Sequence, residues 1–142
     1  MDREARIAQL TLDAQLGLAF IALGGAIIGI AYASFGISES LFSSLATSAI
    51  SELSLYTQYT SLYIQLLAVH NSSSNFTYNI SHSFANLTKE TNTTVNSTMS
   101  IATKVSKQGI RTYIILLSIG ILSLAWGFYC FYKAKWEIGK LS

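Results

Sequence analysis

The residues whose type and spacing bear on chemistry in this 142-residue chain are its six asparagines. Asn71, Asn75, Asn79, Asn86, Asn92 and Asn96 are each followed two positions later by Ser or Thr, with no Pro between. N-x-[ST] is the acceptor triplet for N-linked glycosylation. Twelve of the 28 residues from 71 to 98 are Ser or Thr, and filling the third position at that frequency would complete all six triplets about 0.6% of the time. Local composition is therefore a poor account of the pattern. The stretch is expected to carry N-linked glycans and to face the outside of a cell.

No other constellation points to chemistry. His70 and His82 have no Cys, Asp or Glu at ligand spacing, so no metal site is expected. The nucleophile-elbow, zinc-protease and phosphate-loop motifs are missing from the sequence. Its apolar runs hold no Asp, Glu, Lys, Arg or His to relay protons or ions. The expectation is a structural protein rather than an enzyme, with no catalytic residue and no cofactor. Cys130 is the single cysteine, so no internal disulfide can form, and it reads as an apolar filler.

The elements that must present the acceptors are two charge-free apolar runs, 14–38 between Asp13 and Glu39, and 112–132 between Arg111 and Lys133. About 20 such residues cross a hydrocarbon layer roughly 30 Å thick, so both qualify as transmembrane spans. Residues 1–15 form an inner lead that carries no net positive charge. Ala31-Tyr32-Ala33 resembles a signal-peptide cleavage pattern, but we read the segment as a permanent anchor. Within span 1, residues 16–37, Gly25 and Gly29 stand in G-x-x-x-G spacing with Ala33 four residues on. Small residues at that spacing let helix backbones approach closely in a bilayer. This face is expected to meet another helix.

Residues 38–70 read as an amphipathic helix. Phe42, Ala46, Ala49, Leu53, Tyr56, Thr60, Tyr63 and Leu67 follow alternating spacings of four and three, the mark of a heptad seam. Phe42, Leu53, Tyr56 and Leu67 are its expected packing residues. Leu45, Ile50, Leu55, Tyr59, Leu62, Ile64 and Leu66 lie off that seam, so the helix is apolar on more than one side and needs several neighbours. A third span over 53–69 would put the acceptors on the cytoplasmic side and is rejected for that reason. Residues 71–98 form the sequon-rich turn and the start of a return helix, whose spacing sets in at Phe84, Leu87, Thr91, Val95, Met99, Ala102 and Val105. Residues 99–111 complete that helix.

Span 2, residues 112–132, contains a second small-x-x-x-small pair, Ser123 and Gly127. It closes with aromatic residues including Trp126, and the basic inner tail 133–142 follows with Lys133, Lys135, Trp136 and Lys140. Interfacial rings followed by cations are the usual cytoplasmic end of a span. Arg3, Arg6 and these three lysines outnumber Lys104, Lys107 and Arg111. The bias puts both termini inside and residues 38–111 outside. The fold class is all-α: a long antiparallel helical hairpin with two transmembrane-type segments and a glycosylated polar tip. Such a hairpin has too little internal core for its apolar surface, so the expected partners are further copies of itself and the lipid membrane.

Two apolar segments enclosing a Ser/Thr/Asn-rich stretch, the second running Tyr113-Ile114-Ile115-Leu116-Leu117 and closing in Phe131-Tyr132-Lys133-Ala134-Lys135, resemble the coat proteins of archaeal spindle-shaped viruses. The likeness covers about 25 residues, mainly span 2 and its basic end. This chain differs in its longer middle region and in having no Pro in span 2, and so resembles a larger tailed spindle-shaped relative more than the short fusellovirus-like group. The resemblance implies a major coat protein that sits in the host membrane before assembling into a virion shell. The basic tail, at a local charge of +2, would then add at most a weak contact to packaged nucleic acid. The alternatives are a two-span pilin-like filament subunit and a small accessory subunit of an archaeal membrane complex such as a respiratory oxidase.

Overall fold

The computed structural model describes residues 3–69 and 74–141, and for residues 74–76 and 141 the backbone alone. His70 and the Asn71 triplet therefore lie outside the described residues. The rest is a hairpin-like pair of helices, α1 (Arg3–Val69, 67 residues) and α2 (Ser74–Leu141, 68 residues). The chain has no Pro to interrupt either helix. No described residue has a positive φ, so even the glycines hold helical geometry.

Ser and Thr ordinarily weaken helices by competing for backbone hydrogen bonds. Here several of their hydroxyls are satisfied within the helix. Thr88, Thr93 and Thr94 donate to the carbonyls of Phe84, Lys89 and Glu90 at 2.8, 2.8 and 3.0 Å. Thr47, Thr57 and Thr60 do the same in α1. α2 begins at Ser74, ten residues before Phe84 where the apolar spacing sets in, and most of the acceptor stretch is helix rather than turn.

Both helices are long and apolar enough to cross a membrane, and only 17% and 11% of the residues in their most apolar windows are buried. The core helix of a soluble domain would be mostly buried. The chain divides into two compact units: unit 1 comprises Met1–Ile37 and Gln108–Ser142, and unit 2 comprises Ser38–Lys107.

In unit 1 the helices run antiparallel, with small residues lining the contact. Leu10, Gly17, Gly24 and Ala31 of α1 are buried seven residues apart, and so are Gly120, Gly127 and Ala134 of α2. A seven-residue repeat of contact positions is what keeps two supercoiled helices facing each other.

In unit 2, Ala49 and Ala102 are buried. Between Ala49 and the acceptor end of the unit, aromatic rings take over the contact. Tyr63 stacks on Phe84 with centroids 4.3 Å apart and planes 7° from parallel, and Tyr56 lies on the same ring at 5.9 Å. Tyr56 also reaches Thr88 Oγ1 at 3.1 Å. Thr88 gives its own hydrogen to Phe84, so Tyr56 is the donor in that bond.

The contact line of α1 in unit 2 departs from the spacing anticipated above. It passes through Leu45, Ala49, Glu52 and Tyr56, while Phe42 stands at the margin, 36% exposed, and Leu53 is 52% exposed. From Ala49, a step of three to Glu52 or of four to Leu53 satisfies the heptad equally well, and the return helix decides between them. On α2, Thr98 takes the half-buried place expected for Met99, which is exposed. Glu52 consequently has a carboxylate oxygen, Oε2, shut away from solvent with no hydrogen-bond partner. An unsatisfied buried polar atom costs about 1–3 kcal/mol. Glu52→Leu should therefore raise the stability of unit 2 by about 1–2 kcal/mol, read as a higher melting midpoint in detergent. A fall in the midpoint would show that the carboxylate stabilises unit 2 rather than costing it.

Candidate functional site

The close approach in unit 1 rests on two glycine pairs. A Cβ added to Gly17 would lie 2.8 Å from the Gly127 carbonyl oxygen, and one on Gly127 would lie 2.7 Å from the Gly17 oxygen. Gly24 and Gly120 repeat the arrangement one heptad along, at 2.8 and 3.1 Å. Only glycine leaves room for backbones this close, and in a bilayer such packing supplies the attraction that the hydrophobic effect does not. Between the pairs, Ser123 donates its hydroxyl hydrogen to the Phe20 carbonyl at 3.0 Å. Ser123 and Gly127 thus both sit on the contact between α1 and α2. At the other end of this line Tyr113 meets Tyr32 edge-on at 5.6 Å and Phe35 at 5.1 Å.

Gly25, Gly29 and Ala33 are not part of this contact. All three are exposed, and nothing in the chain lies within 4 Å of a Cβ built on Gly25 or Gly29. The partner of α1 inside the chain uses the neighbouring register, Gly17, Gly24 and Ala31. What remains outward is a second row of small residues, Ala19, Ala22, Ala26, Gly29, Ala33 and Gly36, alternating by three and four and exposed throughout. Both rows are legible as repeats in the sequence. G-x-x-x-G spacing singles out one of them, and the seven-residue recurrence of Gly17, Gly24 and Ala31 is the signal that identifies the other.

At the terminal end of unit 1, charges and rings are interleaved. Lys133, Lys135 and Lys140 each place Nζ over an aromatic ring four residues earlier in α2, at 5.9 Å from Tyr129, 5.7 Å from Phe131 and 5.2 Å from Trp136. Positions i and i+4 share a helix face, so this follows from spacing alone. Arg6 and Glu137 approach to 3.9 Å across the helix pair, a weak exposed contact. Trp126 and Trp136 are both exposed, and Trp126 lines an open cleft of about 480 Å³ with Arg6, Asp13, Tyr129, Lys133 and Glu137. Anchoring at a membrane interface suits this mixture of rings and long cations.

In unit 2 the described acceptor side chains, Asn79, Asn86, Asn92 and Asn96, are all exposed on the outer surface of α2. The Asn75 side chain lies outside the described atoms. Asn96 donates to the Asn92 amide oxygen at 3.0 Å, and Asn86 contacts His82 Nδ1 at 3.3 Å. No group of three His, Cys, Asp or Glu side chains among the described residues is placed to hold a metal ion.

Comparison with protein-family models, curated proteins and solved structures finds no match.

The arrangement therefore has to be judged on its own surfaces. Only five apolar side chains are buried among the described residues, four of them alanines, and no large side chain is fully enclosed. Leu12, Leu18, Leu23, Ile30, Ile121 and Leu122 stand exposed in unit 1, as do Ile50, Leu55, Tyr59, Leu62, Ile64 and Leu66 in unit 2. Among the described residues these apolar side chains and the amides of Asn79, Asn86, Asn92 and Asn96 stand on the surface.

Proposed function

We propose that this chain is a self-assembling structural membrane protein whose copies pack side by side through their apolar helix faces. Residues 38–111 with their glycans lie outside, and both termini lie inside. The observation that carries this reading is the exposed apolar surface of unit 2. Lipid accounts for the open leucines of unit 1, but an external unit has no lipid to cover Ile50, Leu55, Leu62, Ile64 and Leu66. Apolar side chains exposed on both flanks of α1, with only water to meet them, mark interaction faces. Neighbouring copies supply the cover economically, because each brings the same face.

The outward row of small residues on α1 gives the membrane part of the assembly its own contact, with Gly29 and Ala33 at its centre. Together with the resemblance of span 2 and its basic end, this favours the major coat protein of an archaeal spindle-shaped virus. Such a protein resides in the host membrane and then forms the virion shell. Lys133, Lys135 and Lys140 would face the interior and add a weak contact to packaged nucleic acid.

Copy number in the native assembly tests the proposal. Hundreds of identical chains in a spindle-shaped particle agree with it, whereas one copy beside large cofactor-bearing subunits, or a filament, would replace it with an accessory or pilin-like role. A paired variant probes the face itself. Gly29→Leu with Ala33→Leu should abolish assembly while the isolated chain keeps its helix content and its melting midpoint. Unaltered particles from that variant would remove this face from the contact.

A further inference from the structure

Successive residues of an α-helix are turned by about 100°, so residues i and i+2 lie about 200° apart on its circumference. An asparagine on the outside of a helix therefore sends the hydroxyl of its own triplet to the inside. α2 realises this at three acceptors. Asn86, Asn92 and Asn96 are exposed, while Thr88, Thr94 and Thr98 are half-buried on the side that faces α1 within unit 2.

Thr88 is the most engaged of the three. It gives its hydrogen to the Phe84 carbonyl and accepts one from Tyr56 of α1. The Thr94 hydroxyl is bonded to the Glu90 carbonyl. Asn79 differs, because its partner Ser81 is exposed. Since the triplet includes the hydroxyl as well as the amide, a transferase must read both together. On the finished helix they point in opposite directions.

Resting on the reading of these triplets as occupied acceptors, we infer that Asn86, Asn92 and Asn96 are glycosylated before α2 coils and docks on α1, and that helix formation closes these acceptors to later modification. The donor is an oligosaccharide on a lipid-phosphate carrier. The bond from Asn Nδ2 to the anomeric carbon forms as the bond from that carbon to the carrier oxygen breaks. The carrier leaves as its phosphate and one Nδ2 proton passes to solvent. Afterwards the same threonines serve the fold, Thr88 through its bond to Tyr56 and Thr94 and Thr98 as half-buried members of the contact face. The glycans remain on the opposite side, where they do not hinder docking.

The test compares two routes with the full-length chain, reading site-by-site occupancy by mass spectrometry. In one, the chain is translated in the presence of membranes that carry an N-oligosaccharyl transferase and its lipid-phosphate-linked oligosaccharide. In the other, chain made without them is folded in mixed micelles and then given the solubilised transferase and donor, so that membrane sidedness is no barrier. Occupancy at Asn86, Asn92 and Asn96 should be at least about ten-fold higher by the first route, with a smaller difference at Asn79. Thr91→Pro, which interrupts α2 without altering any triplet, should raise late occupancy of Asn92 several-fold. Equal occupancy of the three sites by both routes in the unaltered chain overturns the inference. If native material and both routes carry no glycan at any acceptor, the acceptor reading itself fails and the inference falls with it.

Discussion

Gly127→Leu separates the two helices of unit 1, whereas Gly25→Leu leaves them paired. The first substitution puts a branched side chain where even a Cβ would lie 2.7 Å from the Gly17 oxygen and 2.8 Å from the Ile21 nitrogen. These are backbone atoms of a continuous helix and cannot swing aside as the end of a flexible side chain can. Overpacking of a core costs about 1–3 kcal/mol and more where the neighbour cannot yield. A loss of about 3 kcal/mol or more is expected here, enough to abolish pairing along a contact held by glycines and alanines. Gly25 has nothing within 4 Å of its virtual Cβ, and a leucine there only improves helix propensity, by up to about 1 kcal/mol. Energy transfer between labels at positions 5 and 140 in a Cys130→Ser background reads the difference. Equal transfer in the two variants would show that the glycine contact does not hold the pair together. Gly24→Leu should behave as Gly127→Leu does, although it is the immediate neighbour of Gly25.

Phe84→Ala should loosen unit 2 and leave unit 1 unchanged. The Phe84 ring is stacked by Tyr63 and approached by Tyr56, so one truncation ends two ring contacts. Phe→Ala in a closed core costs about 3–5 kcal/mol. Phe84 is only half-buried, so about 2–3 kcal/mol is the appropriate expectation. Backbone amide exchange should quicken from residue 45 to 67 and from 77 to 98, with rates over 108–134 unaltered. Phe84→Leu, which keeps bulk and loses the ring, should recover roughly half of the deficit. If Phe84→Ala changed no exchange rate, the stacked rings would contribute nothing to docking, and the seam would rest on Ala49 and Ala102 alone.

Much of this architecture is legible before any coordinates. Helices over both spans follow from charge-free apolar runs with no Pro, and the outer helical stretches follow from three-and-four spacing. Tyr56, Thr60, Tyr63 and Leu67 lie where that spacing puts them, and so do Phe84, Leu87, Thr91, Val95 and Ala102. Leu53 and Met99 do not, because hydropathy favours the more apolar member of an adjacent pair. The helix contact instead takes the member that meets the opposite ridge, Glu52 in one case and Thr98 in the other. Helix from Ser74 up to Phe84, ahead of the apolar spacing, takes the place of the turn that the Ser, Thr and Asn content favours. No Pro and no positive-φ residue interrupts α2 there, and farther along the hydroxyls of Thr88, Thr93 and Thr94 are satisfied by carbonyls one turn earlier.

Composition and spacing by themselves determined that this protein is helical, apolar enough to cross a membrane and supplied with a cluster of acceptor triplets. These properties belong to single residues and their near neighbours along the chain, so they need no partner. Which small residues touch was decided only by the tertiary structure. Two rows of Gly and Ala run along span 1, both at spacings that permit close packing, and the sequence of α1 contains nothing to rank them. The position of Gly120 and Gly127 on α2 selects Gly17 and Gly24, because a backbone can approach only where both helices lack side chains at the same level. The row through Gly29 and Ala33 is left outward by the same choice, and the proposed assembly contact is assigned to it for that reason.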